Sequence, residues 1–186
     1  FSHSLEWFSL AISAAPLYNK NMPRMRRIGL EGAGAPVQAR PSAYKSMQFT
    51  FCPLFSGSSG NALFIGAGDT RILIDAGMPG RAIENALKEI GVLPETLSAI
   101  AVTHEHSDHT KGVGILSRKY HLPVYANERT FNAMYKQVGE IEARNRRYFE
   151  SDSDFYIGDL ALLPFPIPHD AAEPVGYRVF YGGRSV

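Results

Sequence analysis

The chain has 186 residues, 45% hydrophobic and 20% charged, the length and make-up of about one ordinary globular domain. A net charge of +1 excludes composition as an argument for nucleic acid or a membrane surface. A single cysteine, Cys52, excludes an internal disulfide and favours a reducing, cytoplasmic setting.

Residues 1–46 carry six basic and two acidic side chains, against 13 basic and 16 acidic in the remainder. This segment holds Pro16, Pro23, Pro36 and Pro41 and shows no sustained period. Its apolar run "WFSLAISAAPLY" is short for a membrane span, and its basic residues follow that run, unlike those of a signal peptide. We expect a disordered or non-native basic extension, with the natural start at Met47. The alternative is a basic arm that touches an anionic partner.

From Met47 the pattern becomes regular. "MQFTFCPLF" and "NALFIGAG" read as strands around the turn "SGSSG", and "TRILIDAG" reads as a buried strand. Pro79 opens a helix with Ile83, Leu87 and Ile90 on one stripe, and Gly91 ends it. "SAIAVT" is a buried strand, "KGVGILSRKY" a short helix, "PVYA" a strand, and "NERTFNAMYKQV" a helix with Asn127 as N-cap. The short strands "RRYFE", "FYIG", "LALLPFPI" and "GYRVFYGG" follow. This order predicts an α/β (α+β) fold of layered sheets with helices packed outside.

Three of the six histidines stand within "THEHSDH", directly behind the apolar run Ala99–Thr103. In extended backbone His104, His106 and Asp108 share a face, so they could converge on one region. His109 breaks that parity, as it would where the chain turns into a helix at Lys111. Imidazoles on one side and an Asp–His pair beyond them is a spacing for two adjacent metal ions. The donors suit Zn2+, and also Mn2+ or iron. Glu105 points away by parity and reads as solvated or as a local ion-pair partner. The helical pattern H-E-x-x-H fails here, because position 108 is aspartate and the segment does not look helical.

"THEHSDH" resembles the metal motif of the metallo-β-lactamase superfamily. "ILIDAG", ending its strand with Asp75, and "PFPIPHD", with His169, resemble further motifs of that family in the right order. "PLFSGSSGNALFI", "LIDAGMPGRAIENAL" and "VTHEHSDHTKGVGIL" resemble the small bacterial YycJ-like metallo-hydrolases, a group regarded as exonucleases acting on DNA. The resemblance covers Met47 onward. It implies a four-layer αββα sandwich, of which this chain would hold the N-terminal portion only.

It also implies that His104, His106 and His169 hold a first metal, while Asp108 and His109 begin a second site. The family closes that second site with a bridging aspartate and a further histidine, yet no histidine follows His169. Residues 47–186 are therefore expected to be a C-terminally incomplete domain or to carry an incomplete dinuclear site. The implied reaction is hydrolysis by a zinc-activated hydroxide, since metal binding lowers the pKa of water from about 15.7 toward about 7. Asp108 would hold metal and act catalytically, orienting the nucleophile.

The preferred substrate is DNA, cleaved by a 5'-3' exonuclease, with two divalent ions as cofactors and no membrane partner. One alternative is hydrolysis of a thioester, lactone or β-lactam on the same fold, and another is a non-catalytic fragment. Asp75 reads either as a turn residue or as an acceptor that orients a ligand histidine. The "SGSSGN" loop reads either as a plain turn or as a phosphate cradle in which Ser58, Ser59 and Asn61 bind substrate. Arg144, Arg146 and Arg147 could touch a nucleic-acid backbone, but beside Glu142 and Glu150 they read better as a solvated face. Cys52 reads as core.

Overall fold

A computed structural model describes residues 48–186. The expected extension over 1–46, the start at Met47, and His3 lie outside the described residues.

Two sheets carry the fold. The first contains β1 (Phe49–Phe55), β2 (Ala62–Ala67), β3 (Thr70–Ile74), β4 (Ala99–Ala101), β5 (Val124–Ala126) and β6 (Arg146–Tyr148), in that spatial order. β1, β2 and β3 pair antiparallel, and β3 through β6 pair parallel. The second sheet contains β7 (Phe155–Ile157), β8 (Leu160–Pro166), β9 (Val175–Tyr181) and β10 (Arg184–Ser185), all antiparallel.

The apolar runs of β3 and β4 follow from burial on both faces. On β3, Leu73 packs toward the helices, while Ile72 and Ile74 pack toward the second sheet. On β4, Ile100 faces the helices and the small Ala99 and Ala101 face the second sheet. The helices are α1 (Gly80–Glu89), α2 (Ser107–Thr110), α3 (Val113–Tyr120) and α4 (Glu128–Val138). Ile83 and Leu87 of α1, Leu116 of α3 and Met134 of α4 are fully buried against the first sheet. Between the sheets Ile65, Ile72, Leu160, Leu162 and Val179 form a second core.

The expected αββα sandwich is thus present through its helix, sheet and sheet layers. On the outer side of the second sheet Tyr156, Leu163 and Phe165 are exposed. No helix among the described residues is long and apolar enough to cross a membrane.

Asn127 caps α4 as the sequence predicts, its side chain accepting from the Thr130 N–H at 2.8 Å. Cys52 lies half-buried on β1 against the helix-side core, and burial pushes its thiol pKa up.

One expectation fails. The segment after His106 is not extended: Ser107–Thr110 forms α2, a single helical turn. The His109 N–H donates to the His106 carbonyl at 2.9 Å, and the Thr110 hydroxyl donates to the same oxygen at 3.0 Å. Asp108 therefore leaves the backbone with helical geometry rather than strand parity, and the helix begins four residues before Lys111.

Candidate metal centre

The site lies where parallel strands end, the usual place for ligands on α/β sheets. Asp75 follows β3, and Thr103–His109 follow β4. The second sheet is bolted to the same exit. The Val175 N–H donates to the Thr103 carbonyl at 3.1 Å, and the buried Tyr177 hydroxyl donates to the Val102 carbonyl at 2.6 Å. The β8–β9 hairpin loop, closed by the Ile167 N–H donating to Pro174 O at 3.2 Å, carries His169 over the motif.

His104, His106 and His169 converge, with one ring nitrogen of each within 4.8 Å of the others. The three rings meet edge to face, with centroids 4.7 to 4.9 Å apart. His104 is only 4% exposed, and its Nε2 is buried without a hydrogen-bond partner. A buried polar atom left bare costs about 1–3 kcal/mol and calls for an explanation, and a cation between three imidazoles supplies one.

The hydrogen bonds assign the free nitrogen of His104 and of His106. Asp75 accepts from the Thr103 N–H and from the Thr103 hydroxyl, both at 2.8 Å. The one hydroxyl proton is thereby used, so His104 Nδ1–H donates to Thr103 Oγ1 at 2.9 Å and Nε2 keeps its lone pair. His106 Nε2 lies 3.1 Å from the Asp170 carbonyl and must donate, which leaves Nδ1 free. His169 Nδ1 lies 3.2 Å from the Asp170 carboxylate. His104 and His106 thus each turn one ring nitrogen with a free lone pair toward their neighbours, and His169 brings a third imidazole beside them.

Burial above all, then the neighbouring His109, His106 and His169, hold the His104 pKa down to about 4 against the pull of Asp75. His104 is therefore neutral at physiological pH. The donor set fits zinc, and manganese or iron less specifically.

Asp108 and His109 stand beside this trio as a second pair. The His109 ring is 4.1 Å from that of His104, and its Nε2 is 3.5 Å from Asp108 Oδ2. His109 Nδ1–H donates to Asp75 Oδ2 at 2.7 Å, so its Nε2 carries the lone pair, which faces the Asn61 amide nitrogen at 3.2 Å. Burial works most strongly against charge on His109. The hydrogen bond and charge of Asp75, with Asp108 nearby, together outweigh it and raise the pKa.

Asp75 thus sits behind two histidines, one directly and one through Thr103. It adopts the left-handed region at φ 61, uncommon for a side-chain-bearing residue, and three accepted hydrogen bonds hold it there.

Asn61 turns its side chain toward the Asp108–His109 pair. Its Nδ2 lies 3.3 Å from Asp108 Oδ2 and 3.2 Å from His109 Nε2, and its Oδ1 accepts from the Gly57 N–H at 3.1 Å. It fastens the 56–61 loop to the Asp108–His109 pair. The Gly60 N–H is used within the loop on Gly57 O, while Ser58 and Ser59 are exposed.

Sequence reasoning missed Glu105. It is half-buried and has no ion-pair partner among the described residues: its Oε1 accepts from the Ala172 N–H at 2.8 Å, and its Oε2 is buried. Arg144 pairs with Glu142 at 2.5 Å, and Arg146 and Arg147 donate to backbone carbonyls, as a solvated face would.

The metallo-beta-lactamase superfamily matches this chain over residues 56–186. Exodeoxyribonuclease YycJ of Bacillus anthracis is 43% identical over 140 residues, which cover 75% of this chain and 53% of that protein. Exodeoxyribonuclease WalJ of Streptococcus pneumoniae serotype 2 (strain D39 / NCTC 7466) is 41% identical over 139 residues, covering 74% and 52%. The chain spans about half the length of these curated relatives. Among solved structures, a metallo-β-lactamase of Cronobacter sakazakii aligns with a TM-score of 0.61 at 16% identity, over 73% of this chain and 54% of that one. The subclass B3 enzyme BJP-1 of Bradyrhizobium japonicum aligns with a TM-score of 0.59 at 17% identity, over 75% and 58%. At such identities the likeness is one of fold.

Proposed function

The chain belongs to the metallo-β-lactamase superfamily, and from that premise we propose that its site serves a metal-dependent phosphodiester hydrolase, a 5'-3' exonuclease acting on DNA. The observation that carries the reading is the convergence of His104, His106 and His169 around the bare, buried Nε2 of His104. The names of the relatives at 41–43% identity support DNA as substrate.

His104, His106 and His169 would hold one divalent cation, zinc by the donor set, with Asp108 and His109 contributing to a second. Such a cation supplies Lewis acidity and an activated water at neutral pH. The chain's own residues do the rest. Thr103 and Asp75 hold His104 and His109 in the tautomers that bind. Asp108 accepts or orients a proton at its carboxylate, held by the Asn61 amide. Ser58 and Ser59, exposed on the adjoining loop, would meet a phosphate.

Zinc per chain by elemental analysis, followed by degradation of 5'-labelled DNA, tests this. We expect at least one zinc that is lost when His104, His106 or His169 becomes alanine. DNA hydrolysis should fall steeply with salt and vanish in Asp108→Ala. A zinc-free wild-type chain, or turnover that survives in Asp108→Ala, would sink the assignment.

A further inference from the structure

We infer that Glu105 is a positioning residue that latches the His169 loop onto the metal site. The inference rests on the reading of His169 as a metal ligand.

His104 and His106 belong to one short segment anchored by the buried strand β4. His169 comes from the other sheet, on a loop spanning Ile167 to Pro174. That loop has little apolar burial to fix it: His169, Asp170 and Ala172 are exposed. Polar bonds must therefore place it. At its far end Asn127 Nδ2 donates to Glu173 O at 2.8 Å, and Ser151 donates to the Glu173 carboxylate. At the near end the contacts are His106 Nε2–H to Asp170 O, and the Ala172 N–H to Glu105 Oε1. The first of these uses a ligand ring itself. The second ties the motif to the loop through a side chain that is not a ligand.

Glu105 stands between two ligands in sequence, so its carboxylate ties the two halves of the trio from opposite sides of one segment. Only an acceptor is required of it. Glutamine retains a side-chain oxygen at the same reach, whereas methionine fills a similar volume and offers none. Groups behind metal ligands typically contribute 10–100-fold to metal affinity.

The test is zinc affinity by competition with a chromophoric chelator, beside amide exchange of the Ala172 N–H in the metal-free chain. Glu105→Met is expected to bind zinc roughly 10-fold more weakly and to exchange the Ala172 proton faster, with Glu105→Gln restoring both to near wild type. Wild-type affinity in Glu105→Met overturns the latch, and so does a Glu105→Gln variant as weak as Glu105→Met. His169→Ala separates the two readings. If it binds zinc like wild type, the metal-site assignment itself fails. If it loses zinc while Glu105→Met does not, only the latch fails.

Discussion

Gly77 is the most demanding position around the site. A Cβ built on it would lie 1.6 Å from the Asp108 carbonyl oxygen, 2.2 Å from its carbon, and 2.7 Å from the Asn61 nitrogen. All three are backbone atoms, so no side chain can swing aside. Reaching ordinary contact near 3.5 Å requires a displacement of about 2 Å. The backbone bonds that hold this crossing would go with it. They are Gly77 N to Asn61 O at 2.8 Å, Asn61 N to Asp108 O at 2.7 Å, and Ala76 N to His109 O at 2.8 Å. Overpacking plus the loss of these bonds gives about 4 kcal/mol for Gly77→Ala. For a domain of this size that is a drop of roughly 10 °C in Tm. Gly57 is the control, since a Cβ there meets nothing within 4 Å. Thermal unfolding of the metal-free chain, with zinc stoichiometry alongside, measures both. A Gly77→Ala protein within 2 °C of wild type would refute the claim that three backbone segments close on this residue.

Asp75→Asn replaces a carboxylate that accepts three hydrogen bonds with an amide that sets a donor against one of those donors. A loss of about 2–3 kcal/mol in denaturant unfolding is expected, with zinc affinity at least 10-fold weaker, and an unchanged midpoint would contradict it. Asn127→Ala removes both the α4 cap and the bond to Glu173 O, at a cost of about 2 kcal/mol; a cost below 0.5 kcal/mol would refute the double role. The pH dependence of the metal-free chain follows from His104. Its folded pKa of about 4 lies below the ordinary 6.5, so the unfolded chain binds the extra proton between these values. The contribution of roughly 3 kcal/mol is complete above pH 6.5 and is lost as pH falls through about 4. His109, raised, contributes in the opposite sense and loses its share as pH rises. The stability of His104→Asn should therefore fall less steeply than that of wild type between pH 6.5 and 4.5, and parallel slopes would count against the burial argument.

The sequence made legible whatever burial or local chemistry imposes on it. The unbroken apolar runs of β3 and β4 announce strands covered on both faces, and the stripe Ile83, Leu87 announces α1. Asn127 announces a cap because the cap is a local bond. Short α2 stayed hidden for the converse reason. Ser-Asp-His-Thr has no apolar stripe, and the turn is pinned from outside, by Asn61 N on Asp108 O. Two-residue β10 is too short for any period to show. His169 was legible only through the order of motifs, since a histidine after a proline-rich strand has no local signal. The role of Glu105 could not be read at all, because its partner lies 67 residues away on a loop whose position is itself a tertiary result.

The same distinction explains why the candidate centre is stiff on one side and adjustable on the other. His104 follows β4, where Ile100 and Ala101 are fully buried, as is Val102 just beyond the strand, and its Nδ1 is tied through Thr103 to Asp75. That core can sustain one bare buried nitrogen at a cost of about 1–3 kcal/mol, and a cation would return it on binding. His169 has less support, with its side chain 39% exposed on a loop held largely by polar bonds. On the proposed reading the strand side would be formed before any metal arrives, and the loop side would set how tightly that metal is held. Substitutions behind His104 should register first as lost stability, while substitutions under the 167–174 loop should register first as lost affinity.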